Sequence, residues 1–173
     1  METSKWIWSG TRSPVENDNI PEWAVAFVYI IEHTTADGYK LYVGKKQLQS
    51  TTRKKIGVRE KAATATRKTY KTTTKASNWQ DYWGSSKSLK EAKAEGSGTW
   101  RRIIVEWCYS KKNATYCELK HQFLMNVLEG DSYNDNINGS LYRHDTNRQL
   151  YEEYREKMKT TPRKPRVKKQ IKY

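Results

Sequence analysis

Residues 27–46 read FVYIIEHTTADGYKLYVGKK, and the fold is decided there. Phe27 to Ile31 is a β-branched and aromatic run, the composition of a buried strand. Leu41-Tyr42-Val43-Gly44 is a second strand closing on a glycine. Between them Asp37-Gly38 is a strong hairpin signal, because that dipeptide tolerates the positive φ angles of a tight turn. The segment therefore predicts an antiparallel hairpin that brings Tyr29 and Tyr42 close together.

Outward from the hairpin the pattern is mixed α+β. Residues 1–23 are polar apart from Trp6, Trp8 and Trp23 near its end, and read as an irregular arm. Tryptophans of this kind pack on a domain or stack on bases, and packing is the commoner use. Residues 45–78 form a basic, threonine-rich insertion in which Val58 to Tyr70 predicts an exposed helix without an apolar stripe. Asn78 to Ser86 is an aromatic turn, and Ser85 or Ser86 caps a helix from Lys87 to Glu95 that Gly96 stops. Trp100 to Trp107 is a third strand, with Ile103, Val105 and Trp107 on one face and Arg102, Ile104 and Glu106 on the other. Thr115 to Leu128 predicts a helix lined by Leu119, Phe123 and Val127. A polar turn, Tyr133 to Gly139, follows, and then a last helix from about Thr146 to Lys159 carries Leu150, Tyr154 and Met158. Residues 160–173 read as a basic flexible tail. The expectation is one domain over 24–159, built on a small three-stranded antiparallel sheet flanked by helices. There is no internal repeat.

The charge is informative because of where it lies. The chain of 173 residues carries a net +14. Residues 45–75 hold eight lysines and three arginines against the single acid Glu60. Residues 157–173 hold eight basic residues and no acid, so the remainder of the chain is slightly acidic. Concentrated positive charge points to a polyanion, with nucleic acid favoured over two solvated basic segments. Lys45, Lys54, Lys55, Arg67, Lys68 and Lys71 are the candidates for gripping phosphates, with Arg102 on the third strand. No run approaches a membrane span and no basic-then-apolar leader opens the chain, which predicts a soluble cytoplasmic protein without a membrane role. Cys108 and Cys117 lack zinc-type spacing and read as core or half-buried thiols.

Two hairpin tyrosines, a later acid on a helix and an asparagine beyond it form a pattern that resembles the GIY-YIG nuclease family. The first motif stands here as Val28-Tyr29-Ile30, without its leading glycine, and the second as Tyr42-Val43-Gly44, with eleven residues between the two triplets. The phage Seg-type branch is more similar still: paired lysines (Lys45, Lys46), an aromatic Y-x-G-S-S turn (Tyr82 to Ser86), an R-x-I strand motif (Arg102 to Ile104), a Y-x-E helix (Tyr116 to Glu118) and a Tyr133-Asn134 pair.

The resemblance implies a DNA endonuclease, phage-encoded and acting in a bacterial host. It implies one divalent metal on Glu118, Mg²⁺ with Mn²⁺ able to substitute, and no small organic cofactor. A single carboxylate suits Mg²⁺, which keeps much of its hydration shell. Tyr29 would act as general base or position the water, and a phenol with an ordinary pKa of about 10 needs a neighbouring cation to do so at neutral pH. Lys46 or Lys45 would supply it. Tyr42 would touch the phosphate and Asn134 would orient the acid or a phosphate oxygen. The family's arginine has three contenders: Arg53, eleven positions after Tyr42 and preferred on spacing, then Arg67 and Arg102.

Each residue also has a plainer reading. The tyrosines are ordinary strand aromatics without the later motifs. Thr115-Tyr116-Cys117-Glu118 has the form of a capping box, in which the acid bonds the cap amide instead of a metal. His121 either pairs with Glu118 on a metal or is a lone exposed histidine. Asn134 is a common turn residue. If no arginine serves, the chain is a nucleic-acid binder on the same fold, for duplex DNA or, through Trp79, Tyr82 and Trp83, for RNA.

Overall fold

The structure, a computed structural model, describes residues 5–64, 67–146, 152–153 and 155–157. In chain order the elements are β1 (Trp6–Trp8), β2 (Ser13–Pro14), β3 (Ala26–Thr35), β4 (Gly38–Gln47), β5 (Gln49–Lys55), α1 (Val58–Thr64), β6 (Tyr70–Ala76), α2 (Lys87–Glu95), β7 (Thr99–Cys108), α3 (Lys111–Leu124), β8 (Asn136–Ile137) and β9 (Leu141–Tyr142). Of the expected last helix, 152–153 and 155–157 are helical; Leu150, Tyr154, Met158 and the tail lie outside the described residues.

The hairpin forms as β3–β4, with Tyr29 opposite Gly44 and Ile31 opposite Tyr42. Thr35 pairs with Gly38, so Ala36 and Asp37 are the two turn residues and Gly38 already begins β4. The sheet is larger than the three strands expected. Its order is β2-β1-β7-β3-β4, with five strands. The extra pair comes from the arm that read as irregular: Trp6 to Trp8 run parallel to β7, pairing with Arg102 to Ile104. A three-residue strand has no periodicity to read; what fixes it is the Trp6 indole, 2% exposed, whose Nε1 donates to Trp79 O at 2.8 Å.

Because β3 is central it is apolar on both faces. Phe27, Tyr29 and Ile31 join Trp6, Tyr42, Leu89, Ile104 and Trp107 in one core, beneath α2 and the aromatic turn. Ala26, Val28 and Ile30 join Val43, Cys108, Ala114 and Cys117 in the other, beneath α3. The alternation expected for the third strand fails halfway along. Val28 pairs with Glu106 but Tyr29 pairs with Ile104, so Val105 is bulged out. The extra residue resets the faces, placing Trp107 with Ile104 and turning Glu106 toward α3.

α2 matches its expected bounds. Ser86 Oγ accepts from Leu89 N at 3.3 Å, and Gly96 ends the helix at φ 72°. α3 begins earlier than the sequence suggested, at Lys111, because Ser110 Oγ takes the cap and accepts from Asn113 N. Glu118 thus lies mid-helix, and the Thr115 capping box does not form. The buried positions of α3 are Ala114, Cys117 and Gln122, while Phe123 is exposed. The basic insertion holds a shorter helix than expected, α1, flanked by β5 and β6, which pair as a separate antiparallel ribbon.

Candidate active site at the edge of the sheet

β4 is the edge strand of the sheet, and its open side is closed from Leu41 to Val43 by the segment after α3. Leu41 N donates to Asp131 O, and Tyr133 N donates to Leu41 O at 2.8 Å. Asn134 continues the ladder with its side chain. Oδ1 accepts from Val43 N at 2.9 Å and Nδ2 donates to Val43 O at 2.8 Å. The amide imitates a neighbouring strand, and its residue is 4% exposed. Arg143, which sequence reading missed, locks this segment by donating to the carbonyls of Leu128, Gly130, Ser132 and Asn134.

Next to this clamp lies a cleft of about 470 Å³ whose walls include Tyr42, Lys45, Ser85, Lys87, Glu118 and Asn134. Side chains from opposite faces of β4 meet here, because the cleft opens over the strand's edge rather than over a face. Lys45 Nζ donates to Glu118 Oε2 at 2.7 Å and to Thr115 Oγ1 at 3.0 Å. Tyr42 Oη lies 3.2 Å from Ser85 Oγ, immediately before the N-terminus of α2. Burial raises the Tyr42 pKa, the Ser85 hydrogen bond opposing it. Lys45, Lys87 and the positive end of the α2 dipole make this wall attractive to an anion.

Tyr29 stands behind Tyr42, with ring centroids 6.1 Å apart, and is 1% exposed. Its phenol is pushed well above its ordinary value, first by burial and then by Tyr42, Tyr82 and Glu118. The cation expected to lower it does not prevail. Lys46 instead donates to Asn78 Oδ1 at 2.8 Å and lies 3.9 Å above the Tyr82 ring, and burial lowers its own pKa. Lys45 is committed to Glu118. Gly44 follows from the Tyr29 ring: a Cβ there would stand 2.5 Å from Tyr29 Oη and 2.9 Å from Tyr42 Cε1. Gly84, at φ +87°, likewise has no room for a side chain: a Cβ would stand 2.8 Å from Leu89 Cδ2 and 3.0 Å from Tyr42 Cε1.

No arginine borders this cleft among the described residues. Arg53 stacks on Tyr70 at 4.0 Å and borders a separate concavity on the ribbon, with Lys68 and Thr72. Lys54, Lys55, Arg67 and Lys71 are exposed on or beside that ribbon. Arg102, expected to bind DNA, is buried at 3% exposure. Its guanidinium donates to Gln80 O and Tyr82 O and sits between the Trp6 and Trp83 rings, so it holds the aromatic turn. His121 is directed away from Glu118: its Nε2 lies 2.9 Å from Glu106 Oε2. Burial opposes ionisation of Glu106, but hydrogen bonds from Lys120, His121 and Cys117 outweigh it and hold the carboxyl below its usual range. Cys108 and Cys117 are buried free thiols, as expected.

The donor set decides what a metal would find. Among the described residues no three His, Cys, Asp or Glu side chains cluster for one. Glu118 is a lone carboxylate, and one turn on, in the same cleft, Gln122 Oε1 is buried without a hydrogen-bond partner. One carboxylate and one uncommitted amide oxygen fit a hard cation that retains most of its own water. Gln122 was not visible beforehand, because only the packing of α3 turns it inward.

Among the described residues no helix is long and apolar enough to cross a membrane. Residues 6–138 match the family model described as "Putative endonuclease segE, GIY-YIG domain". Comparisons with curated proteins and with solved structures return no match.

Proposed function

The chain belongs to the Seg-type GIY-YIG endonuclease family, and from that premise we propose that it hydrolyses phosphodiester bonds of double-stranded DNA with Glu118 as its metal-binding acid. The observation that carries the reading is the meeting of Tyr42, Lys45, Glu118 and the α2 N-terminus in one cleft. Bound Mg²⁺, or Mn²⁺ in its place, would supply Lewis-acid polarisation of the phosphate and an activated water. The protein's own groups do the rest. Lys45 and Lys87 offset the negative charge of an entering phosphate, Lys45 exchanging its contact with Glu118 for one with a phosphate oxygen. Tyr42 Oη donates toward the same oxygens. Tyr29, held as a neutral phenol, positions rather than deprotonates. Asn134 acts through β4, fixing the strand that carries Tyr42 and Lys45. We further propose a phage source and action in the cytoplasm of a bacterial host, as the resemblance to the Seg-type branch implies.

Supercoiled plasmid incubated with the protein and Mg²⁺ tests this. Wild type should nick or linearise it, chelation should stop the reaction, and Glu118→Ala should lose at least about 100-fold in rate. An intact plasmid across Mg²⁺ and Mn²⁺, or equal cutting by the variant, overturns the reading. That no arginine borders the cleft among the described residues favours a second reading, a non-catalytic DNA-binding protein on the same fold, which predicts salt-sensitive binding without nicking.

A further inference from the structure

We infer that the β5–β6 ribbon is a groove reader, inserting into the major groove of duplex DNA and recognising bases near the cut; the inference rests on the proposal that DNA is the substrate. All residues of both strands are exposed. An isolated two-stranded ribbon is marginal in water, and this one has no apolar face to pack. Lys54 and Lys71 stand directly opposite each other, a pairing of like charges that the exposed Glu60 beside Lys71 offsets only in part and a polyanion would neutralise.

The two faces carry different chemistries. Register and alternation put the pairs Gln49–Ala76, Thr51–Thr74, Arg53–Thr72 and Lys55–Tyr70 on one face, with Lys55 its single lysine, at the end away from the ribbon's base. Ser50, Thr52, Lys54, Lys71, Thr73 and Lys75 share the other. The first face holds the side chains that recognise base edges: arginine for guanine, glutamine for adenine, threonine methyls for thymine. Arg53 is pre-organised on the Tyr70 ring at 4.0 Å. The second face holds phosphate-binding lysines, one of which, Lys71, pairs with Glu60 of α1 at 3.6 Å. Strands about 4.8 Å apart fit a groove about 12 Å wide.

The ribbon is also tethered to the site. β4 carries Tyr42 and Lys45 and passes into β5 after Leu48, where Ser77 N donates to Leu48 O at 2.9 Å and closes the ribbon's base. Arg53 is eight residues beyond Lys45. At about 3.3 Å per residue it lies at most roughly 26 Å away. At about 3.4 Å per base pair, the bases read fall within about eight pairs of the scissile phosphate.

Enrichment of bound duplexes from a randomised pool, with the full chain carrying Glu118→Gln so that DNA survives, tests the inference. The expected result is a guanine-containing preference. Arg53→Lys should hold total affinity within about twofold but lose roughly tenfold or more of the discrimination at one or two positions. Lys54→Ala with Lys71→Ala should weaken binding for all sequences alike and reduce the salt slope by about two. No enriched sequence, an enriched sequence unchanged by Arg53→Lys, or a preference for single-stranded RNA overturns the groove reader. Binding is read without cutting, so an Arg53-dependent preference in a protein that fails to nick plasmid would defeat the nuclease reading alone.

Discussion

Asn134→Asp is nearly isosteric yet separates two roles for this residue, a clamp on β4 and a group that meets substrate. The variant keeps an oxygen to accept from Val43 N, at 2.9 Å, but replaces the donor that serves Val43 O at 2.8 Å. Val43 O retains only the weak contact from Gln122 Nε2 at 3.5 Å. An ionised carboxylate would then sit 4% exposed with an oxygen against a carbonyl oxygen. Such a site should raise the carboxyl by about three pH units above its ordinary value near 3.9. A raised folded-state pKa means stability is fullest at low pH and is lost as pH climbs from about 4 to about 7. The cost relative to wild type should be about 4 kcal/mol at pH 8 and about 1.5 kcal/mol at pH 5, where the protonated acid can donate to Val43 O. Urea unfolding followed by tryptophan fluorescence at several pH values, always as a difference from wild type, measures it. Asn134→Ala should cost about 3 kcal/mol at every pH, since it strands Val43 N and leaves Val43 O only the weak Gln122 contact. A pH-independent cost for Asn134→Asp, or stable variants that have lost cleavage, would refute the clamp and return Asn134 to the substrate side.

Three further outcomes follow from the same geometry. Gly44→Ala drives a Cβ to 2.5 Å from Tyr29 Oη and should destabilise by about 3 kcal/mol; Tyr29→Phe in the same chain should recover part of that in a double-mutant cycle of denaturant melts. The raised pKa values of Tyr29 and Tyr42 keep these phenols protonated when the unfolded chain has begun to ionise, so stability should decline as pH rises above about 10, and Tyr29→Phe should flatten that decline in alkaline thermal melts. Arg102→Ala should cost about 3 kcal/mol, because Gln80 O and Tyr82 O lose a charged donor, while DNA affinity measured below the melting range stays within twofold.

What the sequence reveals here, and what it hides, follows from the range of the forces involved. The hairpin is legible because Phe27 to Ile31 is buried on both faces and so must be apolar throughout. α2 is legible because Ser86 and Gly96 act within one turn of their own backbone. The start of α3 is not, since Ser110 and Thr115 are both competent caps and local chemistry does not choose between them. Its inward face is hidden for a related reason: a helix packed across β3, β4 and β7 turns Gln122 in and leaves Phe123 out. Arg102 reads as a surface cation because nothing nearby in sequence announces the carbonyls of Gln80 and Tyr82. At the site, Tyr42, Lys45, Glu118 and Asn134 were each identifiable by motif, but the reassignment of Lys46 to Asn78 and Tyr82 depends on contacts 32 and 36 residues away.

The location of the cleft follows from the problem every edge strand poses. β4 would otherwise offer a row of unpaired backbone groups, a template for association with another chain. Residues 131–134 cover that row up to Val43, the last position being completed by a side chain instead of a strand. Beyond Val43 the protection changes character. Gly44 offers no side chain, Lys45 reaches over to Glu118, and charge takes over from pairing as the means of keeping another strand away. A covered edge ending in an ion pair is also a ledge with fixed backbone on one side and ionic groups open to solvent on the other, with Lys45 35% and Glu118 19% exposed at their side chains. Asn134 decides where the cover stops, and so it decides where the cleft begins. The Tyr-Asn pair and the Tyr-Val-Gly triplet, far apart in the chain, are therefore two halves of one construction. Altering the asparagine should move the ledge before it touches any chemistry.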